Sequence, residues 1–254
     1  MSLATTVSDS ATMLRRNLRH TLRNPVTLFG SLAFPIIMLL LFVYVLGGAF
    51  EVGGDYLDYV VPGMLVLSMG YGVTYTAISV SGDVLGGIVD RFRTMAVSRA
   101  AVLTGHVVGT LLRTAVCTAL MVGVTLLMGF RPDATVVEWI AALGVVAMLV
   151  FAITWFTVAL GLAAGSAEGA SFAAFPLTFL PFLSSAFVPP ETMPAAVRAF
   201  ADHQPFTPVI ETLRGLLTGT PIGHSAWIAA LWCAGIALVG YLWARARFTR
   251  DPSK

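Results

Sequence analysis

The sequence predicts an all-α polytopic membrane protein, and three observations carry that prediction. Of 254 residues, 57% are hydrophobic and 11% charged, with a mean hydropathy of +0.85; a soluble domain carries roughly 25% charged residues. Six apolar runs, over residues 28–49, 59–81, 104–128, 139–163, 170–188 and 225–244, approach the ~20 residues that a helix needs to cross a bilayer core. The third observation is where the 15 Lys and Arg fall. Arg15, Arg16, Arg19 and Arg23 precede the first run, Arg91, Arg93 and Arg99 separate the second from the third, and Arg245, Arg247, Arg250 and Lys254 follow the sixth. Six crossings place these groups on one side, which the positive-inside rule makes cytoplasmic. Both termini are then inside. The opposite side holds Arg131, Arg198 and Arg214 against Glu51, Asp55, Asp58, Asp133, Glu138, Glu191, Asp202 and Glu211.

Residues 1–254 are expected to form a single transmembrane domain. Met1 to Pro25 has no apolar core beside a small-residue cleavage site, so the first run is expected to stay in the membrane. Residues 11–23 have helical spacing, with Leu14, Leu18 and Leu22 on one stripe and Arg15, Arg16, Arg19, His20 and Arg23 around it, ended by Asn24-Pro25. That pattern suits a helix lying on an anionic leaflet, or equally a plain basic juxtamembrane tail.

The stretch 86–103 is the longest polar interruption on the cytoplasmic side. Asp90, Arg91, Arg93 and Arg99 alternate there with Phe92, Met95, Val97, Val102 and Leu103. Charges mixed with apolar anchors describe a short amphipathic element pressed onto something rather than a solvated tether. It is the expected docking surface for a partner.

The fifth run is the least regular, because Pro176 and Pro181 remove amide donors and must kink or break it. Residues 189–224 follow as an outer segment, with short helices expected over 195–201 and 209–217. In the second, Val209, Leu213, Leu216 and Leu217 share a face, and Glu211 and Arg214 lie at i,i+3 on another. A re-entrant or interfacial hairpin buried against protein is the expected form.

Several chemistries are excluded or weakened. The only lysine is Lys254 and no Gly-x-x-x-x-Gly-Lys-Ser/Thr occurs, so the chain cannot build the usual phosphate-binding loop. Gly165-Ser166-Ala167-Glu168-Gly169 misses Gly-x-Ser-x-Gly and falls in a cytoplasmic turn, which argues against an intramembrane protease. His20, His106, His203 and His224 lack metal-ligand spacing, and no metal is expected. Cys117 and Cys233 lie inside apolar runs as small hydrophobes. An ion-coupled carrier would show carboxylates within its spans, whereas only Arg113 is ionisable there; it either snorkels inward or pairs with an acid of a neighbouring span.

Two further patterns stay open. Gly82/Gly86, Gly105/Gly109, Gly161/Gly165 and Gly165/Gly169 have the spacing that lets helices approach closely, a packing device or a dimer seam. Spans two and five mix hydroxyls with aromatics: Tyr71 and Tyr75 in one, Phe175 and Phe179 in the other. They either line a translocation path for an amphipathic molecule or serve interhelical hydrogen bonding, the latter favoured.

The run Gly87-Ile88-Val89-Asp90-Arg91-Phe92-Arg93-Thr94 through Ser98-Arg99-Ala100-Ala101-Val102-Leu103-Thr104-Gly105 is the first of two that look familiar. The second is Leu183-Ser184-Ser185-Ala186-Phe187-Val188-Pro189 through Met193-Pro194 and His203-Gln204-Pro205-Phe206-Thr207. Together with Tyr59-Val60-Val61-Pro62-Gly63 they resemble type-2 ABC exporter permeases, most of all the daunorubicin/doxorubicin-resistance type of actinobacteria. The resemblance implies a six-span permease subunit with an interfacial N-terminal helix and a coupling helix between spans two and three. It also implies dimerisation with itself or a similar permease, and two copies of a cytoplasmic ABC ATP-binding subunit. On that analogy Asp90, Arg91, Phe92 and Arg93, with Arg99 beside them, couple to the ATPase partner. ATP and Mg would be bound by the partner, and no cofactor by this chain. The chain departs from the pattern at Ala96, where proline is common, and at His106, where arginine is common.

The expected function is ATP-driven export of a drug, antibiotic or lipid from the cell membrane by a chain that is not itself an enzyme. Membrane lipid is an expected partner and nucleic acid is not. The alternative is the same architecture exporting a polysaccharide or lipid-linked glycan; the rivals of another class are an ion-coupled secondary transporter and an intramembrane enzyme.

Overall fold

The structure is a computed structural model that describes residues 25–50, 52, 54–86 and 99–249, with side chains over 33–50, 52, 54–86 and 105–247. Residues 11–23 and most of 86–103 therefore lie outside the described residues. Within the described residues every regular element is helical.

Helix α1 (Pro25–Leu40) contains Pro35 and runs on through a π-helical turn at Leu41–Leu46 and a 3-10 turn at Gly47–Ala49. Helix α2 (Tyr56–Leu85) starts where the Asp55 carboxylate accepts the Leu57 amide at 2.9 Å. Helix α3 (Arg99–Leu127) begins early enough to include the last residues of the stretch 86–103. Helix α4 (Val136–Ala163) opens with a capping box, in which the Glu138 carboxylate accepts the Thr135 amide at 2.6 Å and the Glu138 amide donates back to the Thr135 hydroxyl at 3.3 Å. Helix α5 (Ala167–Phe179) is capped by Ser166, whose Oγ accepts the Gly169 amide at 2.9 Å. That hydroxyl is engaged as a cap, not poised as a nucleophile.

Among the described residues, four helical stretches are long and apolar enough to cross a membrane: Tyr56–Leu85, Gly105–Leu127, Val136–Ala163 and Ser225–Arg247. The first apolar run is helical throughout, from Pro25 through Ala49 with its π and 3-10 turns, whereas the fifth forms the shorter apolar helix Ala167–Leu183. Proline accounts for the difference in α5. Pro176 lies within it, and Pro181 converts its end to a 3-10 turn at Leu180–Leu183. At ~1.5 Å per residue, Ala167–Leu183 reaches about 25 Å, short of the ~30 Å hydrocarbon core.

Residues 189–224 include α6 (Ala195–His203) and α7 (Phe206–Thr218), and α8 (Ser225–Thr249) is the last described helix. Most of α6 is exposed, with Arg198 and Asp202 paired at 3.7 Å. Nearly all of α7 is buried, its polar as well as its apolar face. Gly219, at φ 72°, ends it in the left-handed conformation that an L side chain adopts only with strain.

Helix α2 is the hub, packing on α1, α3, α4, α5 and α7. Its most apolar window is 72% buried, against 17% for α8, which packs mainly on α4. The end of the bundle that carries Tyr56 holds the larger core, including Val60, Met64, Phe130, Phe187, Phe206 and Leu213. The end that carries Leu85 holds a smaller one, of Val80, Val107, Val158, Ala159 and Ala244. Close approach between α2 and α4 depends on Gly161, where a Cβ would stand 2.6 Å from the Ala77 carbonyl oxygen. Gly82 and Gly165 touch nothing within 4 Å, so of these three only Gly161 packs by lacking a side chain.

Candidate functional site

Three polar features run down the hub helix. At the Leu85 end, Asp83 of α2 meets His106 of α3, Oδ2 to Nε2 at 3.1 Å. These two residues stand symmetrically about the stretch 86–103, each three positions outside it. The pair ties together the two helices that residues 87–98 connect.

Farther along α2 and α3 lies a hydroxyl seam. Thr76 and Thr110 share a hydrogen bond of 2.7 Å, and Arg113 Nη2 donates to the Gly72 carbonyl at 2.5 Å and to Thr76 Oγ1 at 3.1 Å. His106, Thr110, Thr114 and Thr118 follow one another at four-residue steps along this face, with Arg113 and Cys117 each one position before a threonine. Arg113 pairs with no carboxylate among the described residues. A guanidinium at the centre of a membrane helix costs roughly 3 kcal/mol on insertion scales, so neutral acceptors leave it only partly compensated.

The third feature closes the Tyr56 end. A helix broken at membrane depth exposes carbonyls that must find donors within the protein. Gln204 Nε2 donates to the carbonyls of Leu180 and Leu183, at 3.4 and 3.3 Å. Arg214 Nη2 donates to the Ser185 carbonyl at 2.7 Å and to the Tyr59 carbonyl at 3.1 Å, while Nη1 pairs with Glu211 at 2.5 Å. The Tyr59 hydroxyl donates to the same Ser185 carbonyl at 3.0 Å, and the Tyr56 hydroxyl to the Phe187 carbonyl at 3.2 Å. Residues Gln204 and Arg214 thereby supply donors to carbonyls left free where the broken helix ends.

Aromatic rings follow the same broken span. Phe175 stacks on Phe179 with centroids 4.1 Å apart, Phe179 approaches Phe182 at 5.7 Å, Phe182 stacks on Phe187 at 5.1 Å, and Phe187 on Phe42 at 4.2 Å. Phe175 and Phe179 are exposed, and Phe187 is buried. The row runs from the lateral surface of α5 into the Tyr56-end core.

Of the residues singled out as a path, Tyr71 and Tyr75 lie one turn apart on α2, and Phe175 and Phe179 one turn apart on α5. Tyr75 lies within electrostatic range of Arg113. Tyr71 packs on Phe34 of α1, centroids 4.8 Å apart. The α5 side is reached instead through Thr74, hydrogen-bonded to Thr178 at 3.1 Å. Asp90, Arg91, Phe92 and Arg93 lie outside the described residues, as do Arg15, Arg16, Arg19 and Arg23; Arg99 is the first residue of α3.

Sequence reasoning missed the Asp83–His106 pair and the donor role of Gln204. The symmetric placement of an acid and a histidine about a polar interruption was the signal for the first. For Gln204 the signal was a buried-type amide following a doubly proline-broken helix.

Comparison with known proteins gives a consistent picture. Residues 10–218 match the family described as ABC-2 type transporter. The chain is 34% identical over 237 residues to the daunorubicin resistance ABC transporter permease protein DrrB1 of Streptomyces coeruleorubidus, covering 92% of this chain and 81% of that protein. It is also 25% identical over 235 residues to the probable doxorubicin resistance ABC transporter permease protein DrrC of Mycobacterium tuberculosis, covering 92% and 85%.

Proposed function

The chain belongs to the ABC-2 type transporter family, as a membrane-spanning permease subunit, and from that premise we propose that it exports a hydrophobic or amphipathic compound, such as a drug, antibiotic or lipid. ABC-2 permeases of this type work with a cytoplasmic ATP-binding subunit. In this reading the chain crosses the membrane six times with both termini in the cytoplasm. It forms a dimer with itself or a similar permease, and the dimer engages two ATP-binding subunits that carry ATP and Mg.

The observation that best supports coupled export is the Asp83–His106 bridge. It joins α2 and α3 immediately inside the coupling segment that contains Asp90, Arg91, Phe92 and Arg93, with Arg99 starting α3. Two bridged helices move as one lever. A displacement of the segment by the closing ATPase dimer would then reach the hub helix, which touches α1, α4, α5 and α7. The basic residues Arg245 and Arg247 follow Ala244, which packs at this same end, in keeping with a cytoplasmic assignment.

The half-exposed row Phe175, Phe179 and Phe182 supports an apolar, ring-bearing cargo. Stacked rings offer little to a glycan beyond its apolar faces, and a glycan-sized channel would need polar lining as well, so the polysaccharide reading is the weaker one.

The test is reconstitution with the ATP-binding partner in liposomes. Drug-stimulated ATPase activity and drug accumulation in inside-out vesicles are expected, and the charge-reversed double variant D90R/R93D should lose both while inserting normally. Undiminished transport by that variant refutes the coupling role.

A further inference from the structure

The hydroxyl seam between α2 and α3 has more donors than acceptors. Arg113 Nε, Thr114 Oγ1 and Thr118 Oγ1 are buried and lack a hydrogen-bond partner among the described residues. Arg113 Nη2 already donates to Gly72 and Thr76, and no carboxylate among the described residues neutralises it. Buried polar groups are ordinarily satisfied, and an intramembrane cation ordinarily pairs. Here a cation and two hydroxyls of one helix stripe are left over together.

The stripe packs closely against α2, where a Cβ at Gly72 would already stand in contact with Thr114 Oγ1, at 3.4 Å. Ala115, Val116 and Ala119, on the adjoining face of α3, are exposed. Arg113 stands seven residues from His106, so it lies about 10 Å along α3 from the Asp83–His106 pair. That is the depth of the acyl chains just below one layer of headgroups.

We propose that Arg113, with Thr114 and Thr118, is a binding site for the oxyanion of an amphipath, a carboxylate or phosphate drawn in from the cytoplasmic leaflet. The unpaired Nε–H of the guanidinium can donate a charge-assisted hydrogen bond to either oxyanion, and the threonine hydroxyls donate to the remaining lone pairs. The acyl or ring portion then lies along the exposed apolar face of α3. The site admits acidic and neutral amphipaths and disfavours cationic ones. It deepens the export reading where the anion is cargo; where the anion is a resident phospholipid, it stands without it.

The full-length chain in phosphatidylcholine vesicles is tested with three spin-labelled probes: stearate, phosphatidylglycerol and phosphatidylcholine. The protein-restricted fraction should favour at least one anion over phosphatidylcholine by threefold or more. Preference for stearate alone identifies a mobile carboxylate amphipath, preference for phosphatidylglycerol alone a phosphate-bearing lipid, and either supports the site. R113Q should abolish the preference and R113K keep part of it. T114V and T118V, which keep the shape, should each lower it about twofold. No preference in the native chain, or an unchanged preference in R113Q, overturns the proposal; if R113Q does not insert, an unchanged preference in both threonine variants does so. Because the assay needs no ATPase partner, lost export with intact anion preference counts against the export reading alone.

Discussion

The guanidinium of Arg214 lies over the ring of Tyr59, Cζ 3.8 Å from the centroid, and hydrogen-bonds the carbonyl of that same residue. One side chain thus holds the first turn of the hub helix by both its ring and its backbone. The Ser185 carbonyl, which accepts from Arg214 and from the Tyr59 hydroxyl, makes the third corner. Helix α7, the hub and the broken end of α5 meet at this point.

Replacing Arg214 with leucine takes one donor from each of two carbonyls and leaves Glu211 without its cation, a loss of roughly 2–3 kcal/mol for charge-assisted bonds. R214L should therefore melt markedly lower than the native chain in detergent. R214K should recover little, because an ammonium lacks the planar fork and the ring-stacking face. Equal melting of R214K and native protein would contradict this account.

The Asp83–His106 bridge predicts a coupling phenotype. H106L should insert and bind the ATPase partner yet transport several-fold more slowly for each ATP hydrolysed. H106R retains a donor for Asp83 and should stay close to native. Measured efflux per ATP in proteoliposomes decides between a lever and a bystander.

Gly161 and Gly144 lie on the same helix in opposite circumstances. A Cβ at Gly161 meets the Ala77 carbonyl at 2.6 Å, whereas at Gly144 nothing lies within 4 Å. G161A should destabilise by roughly 1–3 kcal/mol through overpacking, and G144A should be neutral or slightly stabilising. Parallel thermal unfolding of the two variants in detergent measures the difference.

Sidedness is tested by labelling. Native Cys117 and Cys233 are buried and should give little background. A cysteine placed by T220C, on the exposed turn after α7, should react with an impermeant maleimide added to intact cells. One placed by T94C should react only after the cells are opened. Labelling of T94C from outside would remove the coupling segment from the cytoplasm.

Hydrophobic content and the placement of arginines were enough to read an all-helical membrane protein from the chain, because a bilayer permits few ways to satisfy a backbone and charges are expensive to bury. The breaks were legible too: Pro176 and Pro181 mark where α5 is interrupted. Which residues cap its end was not legible, since Gln204 and Arg214 lie 21 and 29 residues from the carbonyls of Leu183 and Ser185 that they serve. The same holds for glycine pairs, where spacing alone gave Gly161 and Gly165 equal standing and only the neighbouring helix separated them.

By itself the sequence determined the medium and the helical class, properties set by local composition. Tertiary structure decided which polar groups meet across helices: Asp83 with His106, Arg214 with Tyr59, and Arg113, among the described residues, with neutral acceptors. Such pairings depend on helix rotation and approach, which arise from packing over the whole bundle and leave no periodic trace in the chain.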